Sequence, residues 1–377
     1  MNNQFTTPEM QFGFEIALGA TYRQAADAGE VLATAARIED GNDDSWIDQW
    51  IATAGAIRAA GNKALAADRR VSALAYFRRA ASYYGAALYR IDSASDPGRQ
   101  PEIWRRHREC WDHAVDLMPV PGERIKIPYE NTTLPGYFFR APHSQPGEVR
   151  PLVIINNGSD GATSVTWLRG GAGASDRGYH WMTFDGPGQN AALFDQGIPF
   201  RPDWEAVLTP VLDTMLKRPD VDAERIAVIG ISQAGYWVPR ALAFEQRFAA
   251  AVVDPGVVDI SQSWVAPLPA PLQKELNDGN KEAFDREMHL AELLHDQMRV
   301  TLDFRGKPYG VQSDSRYDLF KEVSKYRLGD EIAQITTPLL ITDNDEEALL
   351  PGQSKELYDR LHSTRELVTF TGAEGAG

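Results

Sequence analysis

Arg225-Ile-Ala-Val-Ile-Gly-Ile-Ser-Gln-Ala-Gly235 is the stretch that decides how this chain of 377 residues is read. Arg225 to Ile229 has the apolar make-up of a buried strand, and the run from Tyr236 to Gln246 has that of a helix. Between them Ser232 sits on a very short turn, with Gly230 and Ala234 two places away on either side. A serine on a sharp strand-to-helix turn is a nucleophile elbow. Small neighbours permit the strained backbone, and Oγ is lifted clear of the sheet edge. The start of the helix also turns backbone N–H groups toward whatever the serine attacks. The pattern is G-x-S-x-A-G rather than G-x-S-x-G, and Ala234 is small enough to serve. The plainer alternative is an ordinary strand–turn–helix with an incidental serine.

The same alternation repeats on both sides. Leu152 to Ile155, His180 to Phe184, Ala249 to Val253, Leu339 to Ile341 and Leu367 to Phe370 are short continuous apolar runs, as expected of parallel strands buried on both faces. Helical stretches separate them, notably Trp204 to Leu216 and Gln353 to Leu361. Ahead of them Glu123 to Glu130 alternates as a half-exposed strand, and Leu134 to Arg140 follows after a short turn, which together read as an antiparallel hairpin. The expected class is therefore α/β, a mostly parallel sheet with helices on both faces.

Residues 10 to about 118 read as helices throughout. Trp46 and Trp50 share one face of a helix, and Arg70 to Arg90 carries Tyr76, Phe77, Tyr83, Tyr84 and Tyr89. Such a stripe reads as core packing, with a pocket lining as the alternative. There is no second copy at a fixed period to support a solenoid. Residues 260 to about 330 are polar and helix-rich, and they interrupt the strand–helix alternation. An insertion there is expected over the carboxyl ends of the strands, where ligands bind. The expected organisation is a helical cap region over 1–120 and a core over 121–377, with a lid insertion over 260–330.

A hydrophobic fraction of 43% and a charged fraction of 24% are those of an ordinary globular protein. The formal net charge of -15 argues against nucleic acid or an anionic membrane as partner. A small-molecule substrate is the expected partner, and a homodimer is left open. No cofactor or metal is expected. Cys110 is the one cysteine, so no internal disulfide forms, and its setting beside Trp104 and Trp111 reads as structural. No apolar run is long enough to span a bilayer. The first eight residues, Met1 to Pro8, lack the basic and apolar regions of a signal peptide, so the expected location is the cytoplasm.

Acyl transfer needs a nucleophile, a base, an orienting acid and an oxyanion hole. Ser232 supplies the first. The oxyanion donors are expected to be the N–H of Gln233 and one from the loop Asn156-Asn-Gly-Ser-Asp-Gly161, with Ser159 as the choice. The acid is expected after the Leu339 strand, where Thr342-Asp-Asn-Asp-Glu-Glu-Ala-Leu-Leu-Pro351 offers four carboxylates. Spacing from the strand and the proline puts Glu347 first and Asp345 second, with Asp254 as the replacement should neither serve. The seven histidines are His107, His113, His143, His180, His289, His295 and His362. None lies in the loop after the last strand, where the order Ser…acid…His places the base. The expectation is a base just beyond Gly377 and a chain cut short inside that loop.

Asn156-Asn-Gly-Ser-Asp-Gly161, Phe184-Asp-Gly-Pro-Gly-Gln189, Gly230-Ile-Ser-Gln-Ala-Gly235, Pro351-Gly-Gln-Ser354 and Ala373-Glu-Gly-Ala376 together resemble one branch of the α/β hydrolases. That branch includes 2,6-dihydroxypseudooxynicotine hydrolase and the fungal polyketide-shortening hydrolases of the yellowish-green pigment type. The resemblance covers nearly the whole chain. It implies a serine hydrolase whose helical N-terminal region covers the active site. It also implies attack on a carbonyl, with carbon–carbon bond hydrolysis of a diketone-like substrate in the named relatives. Asn190 stands where the branch has a glycine, and the expected histidine is absent after Ala-Glu-Gly-Ala. Ester or lactone hydrolysis would use the same machinery. A non-catalytic binding protein on this scaffold is the competing class, favoured by the absent histidine and opposed by the intact elbow and oxyanion loop.

Overall fold

The computed structural model describes residues 3–145 and 147–375. Within them one compact unit comprises residues 3–123 with Phe138–Pro142 and Gly161–Arg177. The other comprises Arg124–Tyr137, 143–160 and 178–375.

The first unit is helical. Helices Asp43–Ala66, Arg70–Leu88 and Gln100–Leu117 pack in sequence, the middle one against both others. Asn42 caps the first of these by accepting from the N–H of Ser45, which satisfies one of the orphan donors of a helix start. Trp46, Trp50, Phe77, Tyr83, Tyr84 and Trp111 are fully buried. The aromatic stripe of the Arg70–Leu88 helix is thus core where Phe77, Tyr83 and Tyr84 are concerned, and Tyr89 is exposed. Phe77 stacks on His113, and the Tyr83 hydroxyl donates to Glu30 at 2.6 Å while accepting from the N–H of Asp27.

The second unit is built on an eight-stranded sheet in the order β1-β2-β4-β3-β5-β6-β7-β8. Its strands are β1 (Glu123–Tyr129), β2 (Thr132–Phe139), β3 (Arg150–Asn156), β4 (His180–Phe184), β5 (Val221–Ile231), β6 (Ala250–Asp254), β7 (Leu339–Asn344) and β8 (Arg365–Phe370). The pairings β4–β3, β3–β5, β5–β6, β6–β7 and β7–β8 are parallel. Leu152, Ile154, Ile155, Met182, Phe184, Ile226, Val228, Val253 and Ile341 are buried, which is why these strands read as continuous apolar runs. The chain passes from β3 to β4 on one side and then to β5 on the other. This reversal opens a crevice beyond the carboxyl ends of β3 and β5, the usual ligand position in such sheets. The α/β-hydrolase layout expected from the sequence is present.

Between β6 and β7 lie helices Gln262–Val265, Ala270–Asp278, Lys281–Leu294, Asp296–Gly306 and Arg316–Val323. They carry their own small core of Leu268, Leu272, Leu276, Phe284, Met288 and Phe320. The two ends of the insertion are tied together, with Ile260 N–H donating to Tyr326 O (3.0 Å) and Leu328 N–H to Val258 O (2.7 Å). No helix among the described residues is long and apolar enough to cross a membrane.

His107 of the first unit is fully buried, and its Nδ1 lies 2.9 Å from the Ala81 carbonyl. Burial pushes its pKa down to about 4. The unfolded chain therefore takes up a proton below about 6.5 that the folded chain refuses. Stability is present in full above that pH and falls as the pH drops toward 4, by a few kcal/mol at most. Urea unfolding between pH 7 and 4 should show this slope, and His107→Gln should flatten it.

Candidate active site

The turn after β5 is as sharp as the sequence requires. Ser232 has φ +55°, a left-handed conformation that a residue with a side chain adopts at a cost of about 1–3 kcal/mol. It is held by both neighbours: its N–H donates to Asp254 O at 2.6 Å, and its carbonyl accepts from Gly235 N–H at 2.7 Å. The helix Ala234–Leu242 starts at once, two residues earlier than the apolar pattern suggests. Arg240 anchors that helix through a bidentate pair with Glu205 (3.0 and 2.8 Å) and a third contact to Glu331. A β-carbon on Gly230 would lie 2.4 Å from Ala234 O, so the strand and the helix start meet backbone to backbone. Gly230→Ala should cost about 1–3 kcal/mol in urea unfolding, because the group it strikes is fixed main chain.

Ser232 is exposed, while Ala234 to Pro239 behind it are buried. Among the described residues its Oγ makes no hydrogen bond, so no histidine described here is bonded to it. His107 and His113 belong to the helical unit, and His180 opens β4 as a buried residue.

The N–H of Gln233 has no acceptor among the described residues, and neither has that of Ser159. The loop after β3 lies directly against the elbow: a β-carbon on Gly158 would sit 2.8 Å from Ser232 Cβ and 3.4 Å from its Oγ. Only a glycine allows this approach. Asn156, at the end of β3, accepts from Trp204 Nε1 at 2.6 Å, and the Trp204 ring stacks on Trp237 at 4.0 Å. Trp237 lies on the helix that follows Ser232, so the two halves of the crevice share one buried aromatic pair. Phe200 and Tyr309 extend that cluster, with ring centroids 5.2 Å apart, and bring the insertion beside the elbow. Burial pushes the Tyr309 hydroxyl pKa up, while the nearby Gln233 amide lowers it.

The carboxylates after β7 part company. Glu347 turns back on its own loop and accepts from the N–H groups of Leu349 (2.8 Å) and Leu350 (3.1 Å). Asp345 faces the loop after β8 instead: its Oδ1 accepts from Gly372 N–H at 2.9 Å, and its own N–H donates to Phe370 O. Glu346 reaches the same place, its Oε1 lying 2.5 Å from where a β-carbon on Gly372 would be. Glu346 is the residue that spacing from the strand passes over. No sequence signal separates it from its neighbours, because the partner that distinguishes it is 26 positions further on. Asp254, the replacement, accepts from Thr342 Oγ1 at 2.7 Å.

The remaining motifs are also placed. Asn190 has φ +35°, so it takes the left-handed conformation for which the branch uses glycine, and asparagine tolerates this better than most residues. Gln353 is buried and bonds both the N–H groups of Val258 and Asp259 and the carbonyl of Asp259, while Ser354 bonds the N–H of Gly256. Pro351–Ser354 thus pins the exit from β6. Ala376 and Gly377 lie outside the described residues.

No protein-family model matches the chain. Hydrolase LUC6 of a Fusarium species is 31% identical over 91% of this chain and 83% of its own length. The 20-hydroxy-prefusarin hydrolase FUS2 of Gibberella moniliformis is 33% identical over 69% of this chain and 63% of its own length. The solved structure of 2,6-dihydroxy-pseudo-oxynicotine hydrolase superposes with a TM-score of 0.71, covering 93% of this chain and 88% of that one at 19% identity, a likeness of fold. Sheet order, elbow and these likenesses define an α/β hydrolase. Within that class the chain belongs to the family of the fungal hydrolases just described.

Proposed function

We propose that this hydrolase is a serine enzyme that attacks a carbonyl carbon of a small molecule through Ser232. The observation that carries the reading is the left-handed Ser232, exposed, with Gly158 against it and unengaged N–H groups at Gln233 and Ser159. Oγ bonds to the carbonyl carbon as its proton passes to a general base. The carbonyl oxygen becomes an oxyanion held by Gln233 and Ser159 N–H groups. The intermediate collapses by breaking the bond to the leaving group, which takes the proton back from that base, and water then releases the acyl group from Ser232.

For a diketone-like or polyketide-like substrate the bond broken is carbon–carbon, and the leaving group departs as an enolate. A relative named for the hydrolysis of 20-hydroxy-prefusarin supports an oxygenated small molecule of this kind. An ester or lactone would leave as an alkoxide from the same site. Product analysis on a 1,3-diketone and on an ester of similar size separates the two. The insertion at 260–330 would cap the substrate.

Ser232→Ala should lower turnover by about six orders of magnitude with folding retained. Near-normal turnover would remove Ser232 as the nucleophile. The acid is proposed among the carboxylates at 345–347, with Asp345 and Glu346 favoured by their approach to Gly372. Steady-state kinetics of Asp345→Asn, Glu346→Gln and Glu347→Gln should single out one whose kcat falls on the order of 10⁴-fold. Equal, minor losses in all three would move the role to Asp254.

A further inference from the structure

Gln189, the last residue of the Phe184–Gln189 motif, is buried at 1% exposure and has both ends of its side-chain amide engaged. Its Oε1 accepts from Gly186 N–H at 2.8 Å. Its Nε2 donates to two consecutive carbonyls, Asn157 O at 2.7 Å and Gly158 O at 2.6 Å. The orientation is unambiguous, since a flipped amide would set Oε1 against two other acceptors. Each of these carbonyls belongs to a planar trans peptide, so the N–H of the same peptide points the opposite way. Drawing Asn157 O toward Gln189 turns the Gly158 N–H away, and that group is found on Asn157 Oδ1 at 2.9 Å. Drawing Gly158 O toward Gln189 turns the Ser159 N–H away in the same manner, and that group has no acceptor among the described residues.

We infer that Gln189 is a positioning residue for the oxyanion hole: by clamping both carbonyls it aims the Ser159 N–H at the oxygen of the substrate bound to Ser232. This rests on the serine-hydrolase reading above. An oxyanion donor acts only when held at the position the developing charge will occupy, and backbone amides in a glycine-containing loop hold no such direction unaided. The clamp therefore bears on the rate of bond formation at Ser232 rather than on the base.

The test uses the intact protein and a fluorophosphonate probe, whose phosphoryl oxygen gains charge as Ser232 attacks. Wild type should label at Ser232 and Ser232→Ala should not. Gln189→Glu keeps the acceptor for Gly186 and removes the donor. Its labelling rate constant should fall about 10–100-fold, less than the roughly 10²–10³-fold cost of deleting such a donor. The pH profile of labelling, which reports the base, should keep its midpoint. Gln189→Met, similar in length and uncharged, should lose rate likewise, and it carries the test if the buried charge unfolds the first variant. Labelling of either folded variant at the wild-type rate would overturn the inference and leave the serine-hydrolase reading standing. A shifted midpoint would also overturn it, by showing that Gln189 acts through the base. Failure of wild type itself to label would remove both.

Discussion

A single left-handed residue, Ser232, sits where the architecture of the crevice converges. Ser232 can keep φ +55° only because its N–H and carbonyl are both bonded, to Asp254 O and Gly235 N–H, and because Gly230 lets the helix start close onto the strand. Those bonds require β6 beside β5 and the helix Ala234–Leu242 behind the turn. The sheet order, the buried strands and the anchoring of that helix by Arg240 can be understood as the frame that offsets a local strain of about 1–3 kcal/mol. Loosening any of them would let the turn relax to an ordinary backbone and withdraw Oγ from the crevice.

The frame was largely legible in the sequence, and for a simple reason. Strands buried on both faces must be apolar throughout, so Leu152–Ile155 announces itself without any knowledge of its neighbours. Small residues around Ser232 likewise carry their meaning locally. Helix edges were less clear: the helix begins at Ala234, where the tight turn and not the apolar periodicity sets the start.

Side chains in irregular loops were not legible. Asp345, Glu346 and Glu347 are chemically close and adjacent, and their orientations depend on Gly372 in one direction and Leu349 in the other. Spacing from the strand cannot resolve that. Gln189 is a second case: the motif containing it stood out, yet its partners are carbonyls some thirty positions earlier, and main-chain acceptors leave no trace in sequence. Aromatic helix positions were ambiguous in the opposite sense, since Phe77, Tyr83 and Tyr84 could have lined a pocket and are instead core.

The insertion between β6 and β7 closes on itself at its neck, where Val258 and Ile260 bond Leu328 and Tyr326, and it fills its interior with its own side chains. A segment built this way is interchangeable in principle. Its helices can be lengthened, shortened or reshaped by substitutions absorbed within their own small core, while the neck hands the chain back to β7 in unchanged register. Diversification of such a hydrolase can therefore proceed in the insertion at little risk to the turn at Ser232, and residues 258–260 and 326–328 are the natural place to exchange one insertion for another.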